Sequence, residues 1–213
     1  MNAPDGRRPL ASRDAPWARS LARRLAATRV TPNAISMASV GCASLAAVAL
    51  VLAGRSDGAT RVALWLVVAF GCQARLLCNL LDGLVAIEGG KRTADGPVWN
   101  ELPDRVSDVL ILVAAGFAIA SPALGWAAAA AALWTAYVRE LGHGIDGVSD
   151  FSGPLAKPQR MALVSAAALL STLEGAWDGH GQVLAVALWA IALGACATGV
   201  RRALALLRRR RAV

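Results

Sequence analysis

The sequence predicts an all-α integral membrane protein, built as one bundle of six transmembrane helices with a short amphipathic helix before them. Three observations support this fold class: 56% of the 213 residues are hydrophobic, only 17% are charged, and the mean hydropathy is +0.50. These values exclude a soluble globular domain. Because one bilayer crossing needs about 20 helical residues, six spans occupy most of the chain and leave no room for a second domain.

Six apolar stretches of helical length follow one another, with turn-forming or charged residues between them. In the sequence VTPNAIS, Thr31 can cap a helix whose first turn contains Pro32, so the first span begins there. We expect a single membrane domain over 1–213, with the bundle at 34–204 and a basic tail at 205–213. The predicted spans are 34–54, 60–87, 98–120, 122–142, 159–176 and 181–204.

The segment before the bundle, 1–33, contains a short amphipathic pattern. Trp17, Leu21 and Leu25 recur at intervals of four residues within 16–27, with arginines at other positions. This pattern is typical of a helix that lies in the membrane interface, and a solvated basic tail is the alternative. The first 20 residues lack the apolar core of a cleaved signal peptide, so we expect the helices themselves to direct insertion.

The formal net charge is +8, and the cations are distributed unevenly. Seven arginines precede the first span and six close the last, and the loops after spans two and four carry more cations than the other three. By the positive-inside rule, both termini and these two loops are cytoplasmic in a bacterial-type inner membrane. Orientation and contact with anionic lipid headgroups account for the charge, so no nucleic-acid partner is expected.

The cysteines and histidines do not form a recognisable metal or disulfide pattern. All four cysteines lie within apolar stretches, without a CxxC pair or a histidine at metal-ligand spacing. We therefore predict neither disulfides nor a zinc site. His143 and His180 are isolated in predicted loops and are expected to face solvent rather than to act in catalysis.

Acidic and amide side chains cluster where span two ends and span three begins, and six of the 14 acidic residues lie between 82 and 108. Ionisable groups at membrane depth are costly and are functional candidates by default. Helical geometry places four of these side chains within an arc of about 100° on one face of span three. Two more lie three residues apart on span two. Oxygen ligands from two facing helices favour Mg²⁺ or Mn²⁺. The four are Asn100, Glu101, Asp104 and Asp108, and the two are Asn79 and Asp82.

A structural polar network or a helix cap is the alternative interpretation of this cluster. Pro103 suggests that residues near 100 form a first helical turn, where acidic side chains suit the helix dipole. That interpretation accounts for one or two of the acidic residues and not for the whole face.

The same residues resemble the motif of the CDP-alcohol phosphatidyltransferase family, DxxDGxxARx8GxxxDxxxD. The segment TPNAIS at 31–36 and the pair Asp104-Arg105 are also similar to that family, as are the six spans and the length. The resemblance therefore covers nearly the whole chain. The residues that match the motif in position are Asn79, Asp82, Gly83, Ala86, Gly96, Asn100 and Asp104.

The chain also departs from the family motif at three positions. Asn79 and Asn100 stand where the motif has its first and third aspartates, and Ile87 stands where it has arginine. An asparagine carbonyl can still bind Mg²⁺ but brings no charge. Glu101 and Asp108 add two carboxylates on the same helix face, so the segment NELPDRVSD resembles a variant subgroup rather than a decayed motif.

The family resemblance implies a metal-dependent transferase of phospholipid biosynthesis. An alcohol attacks the phosphorus of CDP-diacylglycerol that carries the diacylglycerol, and CMP leaves. It implies that Asp104 is the base, with Glu101 or Asp108 sharing either role, and that Gly83, Ala86 and Gly96 lie against the nucleotide. Packing between membrane helices explains these small residues equally well. The implied Mg²⁺ or Mn²⁺ ligands are Asn79, Asp82, Asn100 and Asp104.

Three cations on the cytoplasmic side are candidates for binding the acceptor alcohol. Arg139 ends span four, and Lys157 and Arg160 begin span five. Cations near a site that already handles a diphosphate suggest an acceptor that carries phosphate. The positive-inside rule alone would also place these residues there, so both explanations stay open.

Two other functions are compatible with the sequence. A membrane protein that binds nucleotide lipid without turnover is supported by Asn79, Asn100 and Ile87. A small ion-coupled transporter is less well supported, because the acidic residues gather at one interface and the chain shows no internal repeat. The family resemblance also allows a homodimer.

Overall fold

The computed structural model describes residues 15–211, and that part of the chain is all helical. The predicted segment 1–33 and the predicted tail 205–213 therefore extend beyond the described residues at either end. A short 3₁₀ turn at Glu174–Trp177 separates the last two helices. The helices are α1 (Pro16–Ala26), α2 (Pro32–Ala53), α3 (Gly58–Glu88), α4 (Gly96–Ala118), α5 (Pro122–Asp146), α6 (Lys157–Ser171) and α7 (Gln182–Arg211).

The predicted start of the first span is confirmed in detail. Thr31 caps α2, since its hydroxyl oxygen accepts a hydrogen bond of 3.2 Å from the backbone N–H of Ala34. Pro32 occupies the first turn, where its missing N–H costs nothing. Proline also stands in the first turn of α1, α4, α5 and α6, so the same local rule starts five of the helices.

Helices α2 to α7 overlap the six predicted spans, and α7 continues as a helix to Arg211, through most of the predicted basic tail. Of the described helices, α2, α3 and α7 are long and apolar enough to cross a membrane, with mean hydropathies of 2.2, 1.7 and 2.2. The helix α6 has only 15 residues and ends at Ser171, before the predicted limit at 176. It is about 22 Å long, against a hydrocarbon core of about 30 Å. The crossing of all six helices stays a prediction.

A helix forms at the predicted N-terminal position, and Leu21 and Leu25 of the predicted apolar pattern pack against the buried residues that it shares with α3. Ala18 and Ala22 of α1 are buried, and α1 packs against α3. Trp17 remains more than half exposed. The alternative of a solvated tail does not hold for this segment, and the place of α1 at a membrane interface stays a prediction.

The helices pack through small side chains. Helix α2 lies against α3 and α4, α5 lies against α4 and α7, and α6 lies against α3 and α7. More than half of the residues in the main buried cluster are alanines, which let helix backbones approach closely. One close approach joins α4 and α5, where a Cβ atom on Gly125 would lie 2.8 Å from the Leu112 carbonyl oxygen and 2.9 Å from the Gly116 Cα.

The end of the bundle opposite the predicted site is held by one buried carboxylate. Glu174 accepts hydrogen bonds from Arg61 of α3 at 2.7 Å and from the backbone N–H groups of Gly181 and Val183 at 2.9 Å each. This arrangement joins the turn between α6 and α7 to the start of α3. A buried acidic residue with these partners has a structural explanation.

The contact between α4 and α5 leads to a stability prediction. Gly125→Ala is expected to lower the thermal unfolding midpoint of the detergent-solubilised protein, because the new methyl group meets backbone atoms that cannot move aside. Gly41→Ala in α2 is the matched control, because a Cβ atom there meets no heavy atom within 4 Å. The control should be neutral or stabilising by up to about 1 kcal/mol. Equal midpoints for the two variants would contradict the close packing.

Candidate active site

A cavity of about 790 Å³ lies where α3 ends and α4 begins, and all seven helices contribute to its lining. The volume is in the range that ligand-binding sites occupy in proteins. Of the predicted site residues, only Asp108 is absent from the lining. Those that line the cavity are Asn79, Asp82, Gly83, Ala86, Gly96, Asn100, Glu101, Asp104, Arg139, Lys157 and Arg160.

Asp104 of α4 is surrounded by hydrogen-bond donors. The amide of Asn79 donates to its Oδ1 atom, and the ammonium group of Lys157 donates to its Oδ2 atom. The guanidinium of Arg75 lies 3.5 Å from Oδ1 and donates to the backbone carbonyl of Asp104 at 3.1 Å. Although only 3% exposed, Asp104 still borders the cavity. Its carboxylate is thus held in place while remaining next to the cavity.

Asp82 of α3 is held from the side of α2. The hydroxyl of Ser36 donates to its Oδ2 atom at 2.7 Å, and the backbone N–H of Gly83 donates to Oδ1 at 2.6 Å. A carboxylate oxygen with one hydrogen bond keeps a lone pair for another partner. The sequence analysis did not select Ser36, although it ends the TPNAIS segment that resembles the family.

Asp108 lies behind the cavity, between two buried guanidinium groups. Arg75 of α3 approaches its Oδ1 atom at 2.8 Å, and Arg160 of α6 approaches its Oδ2 atom at 2.7 Å. With 1% of its surface exposed, Asp108 does not reach the lining of the cavity. Arg75 was assigned no role from the sequence, yet its position one turn before Asn79 in an apolar span is a signal that could have selected it.

Glu101 faces the predicted acceptor cation Arg139. The Arg139 guanidinium lies 2.6 Å from Glu101 and 2.7 Å from Glu140, and Arg105 lies 3.5 Å from Glu101. These four side chains alternate in charge along one side of the cavity. Arg139 also lies over the ring of Phe151, at 5.6 Å from its centroid.

The segment between α5 and α6 is bound to the cavity wall through backbone carbonyls. Arg202 of α7 donates to the carbonyls of Ser152 and Thr135 at 2.9 Å each, and Arg160 donates to the carbonyl of Leu155 at 3.0 Å. Arg202 lines the cavity and was not selected from the sequence. At the outer edge, a hydrogen bond from Arg209 lowers the pKa of the Asp146 carboxyl.

The small residues of the motif face the cavity rather than a neighbouring helix. A Cβ atom on Gly83 would meet no heavy atom within 4 Å, and one on Gly96 would meet only the Thr93 hydroxyl at 3.5 Å. Helix packing therefore does not require glycine at either position, in contrast to Gly125. This observation favours the ligand-binding interpretation over the packing interpretation.

The helix-cap interpretation of the acidic cluster does not match the structure. Helix α4 begins at Gly96, two turns before Pro103, and its first turn contains no acidic residue. Pro103 is thus inside the helix and does not mark its start. Asp95, just before the helix, is exposed, and hydrogen bonds from Thr93 and Trp99 lower the pKa of its carboxyl.

The predicted ligand set has side chains of the kind that bind a hard cation, and two of them meet at one point. Among residues 15–211, no group of three or more His, Cys, Asp and Glu side chains surrounds one point. The set instead combines the carboxylates of Asp82 and Asp104 with the amides of Asn79 and Asn100, and such oxygens suit Mg²⁺ or Mn²⁺. Asn79 and Asp104 each direct an oxygen atom to one cation, the Lys157 ammonium.

The two histidines lie at opposite ends of the bundle. His143 is in the last turn of α5 and not in a loop as predicted, because α5 continues to Asp146. It is exposed at the edge of the cavity, 3.3 Å from the Ser149 hydroxyl. His180 is exposed beside the turn that Glu174 organises.

Comparison with known proteins gives relatives in sequence and in structure. No protein-family model matches the chain. The inner membrane protein YnbA of Escherichia coli (strain K12) is 27% identical over 164 residues, which cover 76% of this chain and 77% of YnbA.

The solved structures that resemble the chain include phosphatidylinositol phosphate synthase (PgsA1) of Mycobacterium tuberculosis. With CDP-DAG bound, it gives a TM-score of 0.73 at 20% identity over 90% of this chain and 94% of the synthase. In complex with manganese and citrate, it gives a TM-score of 0.73 at 20% identity over 89% of this chain and 88% of the synthase. The chain has the fold of this synthase. The synthase belongs to the CDP-alcohol phosphatidyltransferase family, so the fold agrees with the resemblance found in the sequence.

The buried ion pairs of Asp108 generate a second prediction. Asp108→Asn is expected to destabilise the protein by about 3 to 5 kcal/mol, because Arg75 and Arg160 lose their shared counter-charge. Thermal unfolding in detergent measures the change. Asp146→Asn is the control, since it removes the outer partner of Arg209 and should shift the midpoint little. An unchanged midpoint for Asp108→Asn would show that the network does not support the fold.

Proposed function

We propose that the chain is a metal-dependent CDP-alcohol phosphatidyltransferase of a bacterial inner membrane. It transfers the phosphatidyl group of CDP-diacylglycerol to a small alcohol and releases CMP. The observation that carries the proposal is the convergence of the motif residues on one cavity. The synthase that shares the fold has been solved with CDP-DAG and with manganese, which supports the same ligands here.

The nucleotide end of the substrate is assigned to the wall formed by Gly83, Ala86 and Gly96, which line the cavity. Without side chains at the two glycines, a cytidine diphosphate group can approach the backbone of α3 and α4. Asn79, Asp82, Asn100 and Asp104 would hold Mg²⁺ or Mn²⁺. When bound, the metal supplies positive charge that neutralises the diphosphate.

Asp104 is assigned the role of base for the acceptor hydroxyl. The hydroxyl oxygen forms a bond to the phosphorus that carries the diacylglycerol, the bond from that phosphorus to the CMP oxygen breaks, and the hydroxyl proton passes to Asp104. Asn79, Lys157 and Arg75 orient the Asp104 carboxylate by the contacts described above. Orientation of this kind is a large part of catalysis in phosphoryl transfer.

Positioning is the role that the geometry favours for Asp108 and Glu101, rather than proton transfer. Asp108 is enclosed by Arg75 and Arg160, so it acts through them. Glu101 lines the cavity but pairs with Arg139, so it sets the orientation of an acceptor-binding residue. Both remain necessary for activity in this proposal.

The acceptor end is assigned to Arg139, Lys157 and Arg160. Each already faces a carboxylate, namely Glu101, Asp104 or Asp108 respectively, so an acceptor phosphate must compete with these partners. Arg105 and Arg202 add further positive charge to the lining. A phosphorylated alcohol is therefore the first acceptor class to test, and unphosphorylated alcohols are the second.

The membrane arrangement completes the proposal. The relative YnbA is described as an inner membrane protein, and three helices meet the length and hydropathy of a span. We place both termini in the cytoplasm, on the side of the cavity, because the arginines gather there. A homodimer is compatible with this arrangement.

A membrane protein that binds CDP-lipid without turnover is the second candidate function. Asn79 and Asn100 reduce the charge available to a metal, which favours it. A transporter is not favoured, because the acidic side chains of the predicted cluster gather around a cavity at one end of the bundle. Turnover decides between the first two candidates.

The enzymatic proposal predicts metal-dependent CMP release. Purified protein in detergent is incubated with CDP-diacylglycerol, Mg²⁺ or Mn²⁺, and a panel that contains glycerol 3-phosphate, inositol phosphate, glycerol, inositol and serine. Asp82→Asn and Asp104→Asn should each lower the rate by about 10²- to 10⁴-fold, and Glu101→Gln should remove most of it. Asp146→Asn should retain the wild-type rate. The absence of CMP release with every acceptor would leave the binding protein as the function.

The glycine wall predicts a binding defect without a folding defect. Gly83→Leu should weaken CDP-diacylglycerol binding at least tenfold, because the added side chain projects toward the cavity. Gly41→Leu is the matched control, since its added side chain also meets no heavy atom within 4 Å of the Cβ and lies outside the cavity lining. Ligand-induced stabilisation in a thermal shift assay measures both variants. Equal binding of CDP-diacylglycerol by the two variants would show that the nucleotide does not bind against Gly83 of α3.

A further inference from the structure

The side chain of Lys157 lies among the oxygen atoms that the proposed function assigns to a metal. Its Nζ atom donates to the Asn79 Oδ1 atom at 2.6 Å and to the Asp104 Oδ2 atom. These two oxygens belong to the first and last positions of the motif. An ammonium group and a divalent cation compete for such oxygens, since both are bound through their positive charge.

The formal charge of the ligand set agrees with this competition. Asp82 and Asp104 give −2, whereas the family motif with four aspartates gives −4. The Lys157 ammonium brings the set to −1. Two divalent cations held close together repel each other and need carboxylates between them, and this set has too few for two.

The backbone around Lys157 keeps its side chain directed at these oxygens. Lys157 is the first residue of α6, and Pro158 follows it in the first turn. The side chain of Gln159 accepts a hydrogen bond of 2.9 Å from the N–H of Ala156, just before the helix. One residue later, Arg160 is bound to Asp108. The start of α6 is thus attached on both sides of Lys157.

We propose that Lys157 is an internal cation that takes the place of one metal ion, so that the site binds a single divalent cation. The proposal rests on the proposed function for the identity of the ligand set, but not on turnover. The lysine supplies positive charge at a site where Asn79 and Asn100, which are uncharged, stand in place of the aspartates that could hold a second metal. Of its three N–H donors, the contacts described occupy two, which leaves one for a phosphate oxygen of a bound substrate.

Binding of Mn²⁺ alone to the full-length protein in detergent tests this inference. The electron paramagnetic resonance signal of free Mn²⁺ gives both stoichiometry and affinity, without lipid or acceptor. The wild-type protein should bind one Mn²⁺ per chain. Lys157→Met should bind it at least tenfold more tightly, and Lys157→Met combined with Asn79→Asp and Asn100→Asp should bind two.

Two control variants separate the charge of Lys157 from other effects. Lys91→Met removes a lysine from the same cavity lining, but one that donates to the backbone carbonyls of Thr28 and Val30 at 2.7 and 3.0 Å. Its affinity for Mn²⁺ should match the wild type. Lys157→Arg keeps the charge and should keep a stoichiometry of one.

Two results would overturn the inference: two Mn²⁺ ions per wild-type chain, or equal affinities for Lys157→Met and Lys91→Met. If Lys157→Met does not fold, two other measurements still test the inference. The wild-type protein should bind one Mn²⁺ per chain, and Asn79→Asp should bind Mn²⁺ more tightly than the wild type, because it adds a carboxylate to the ligand set. One Mn²⁺ per chain without CMP release would support the inference while removing the proposed function. CMP release with two Mn²⁺ per chain would support the proposed function and overturn the inference about Lys157.

Discussion

The arrangement of this protein depends on a buried group of charges that joins three helices. Arg75 of α3 and Arg160 of α6 both contact Asp108 of α4. One carboxylate does not balance two guanidinium groups, and Arg75 gains a second anion in Asp104, at 3.5 Å. Since separating a buried ion from its partner costs several kcal/mol, about 3 to 5 in measured cases, the group keeps α3, α4 and α6 in one relative position. The residue assigned as base is attached to the same group.

Small residues serve two purposes in this bundle, and the surroundings of each glycine separate them. Where α4 and α5 meet, Gly116 and Gly125 allow contact between backbones, and a methyl group has no space. At the cavity, Gly83 has no close neighbour, so its missing side chain leaves room for a ligand instead. The alanine-rich core lets the helices pack closely. A cavity of about 790 Å³ within such a bundle is a property of the site and not of loose packing.

The charged side chains that line the cavity form ion pairs with one another in the absence of a substrate. Glu101 faces Arg139, and Asp104 faces Lys157. In the proposed function, an acceptor phosphate would compete with Glu101 for Arg139, whereas the contact of Asp104 with Lys157 would stay in place and orient the base. Pairing of this kind gives each buried charge a partner of opposite sign. It also fixes the positions of the charged side chains before a substrate binds.

The sequence by itself determined the six main helices, the start of α2 at Pro32 and the set of residues around the cavity, because helical periodicity and motif spacing are local properties. Eleven of the twelve predicted site residues line one cavity. Only the tertiary structure decided that Asp108 is enclosed, that Pro103 lies inside α4, and that Gly83 faces the cavity. The contacts of Lys157 with Asn79 and Asp104 join residues 78 and 53 positions apart. Such contacts depend on how α3, α4 and α6 pack, and no local pattern records that packing.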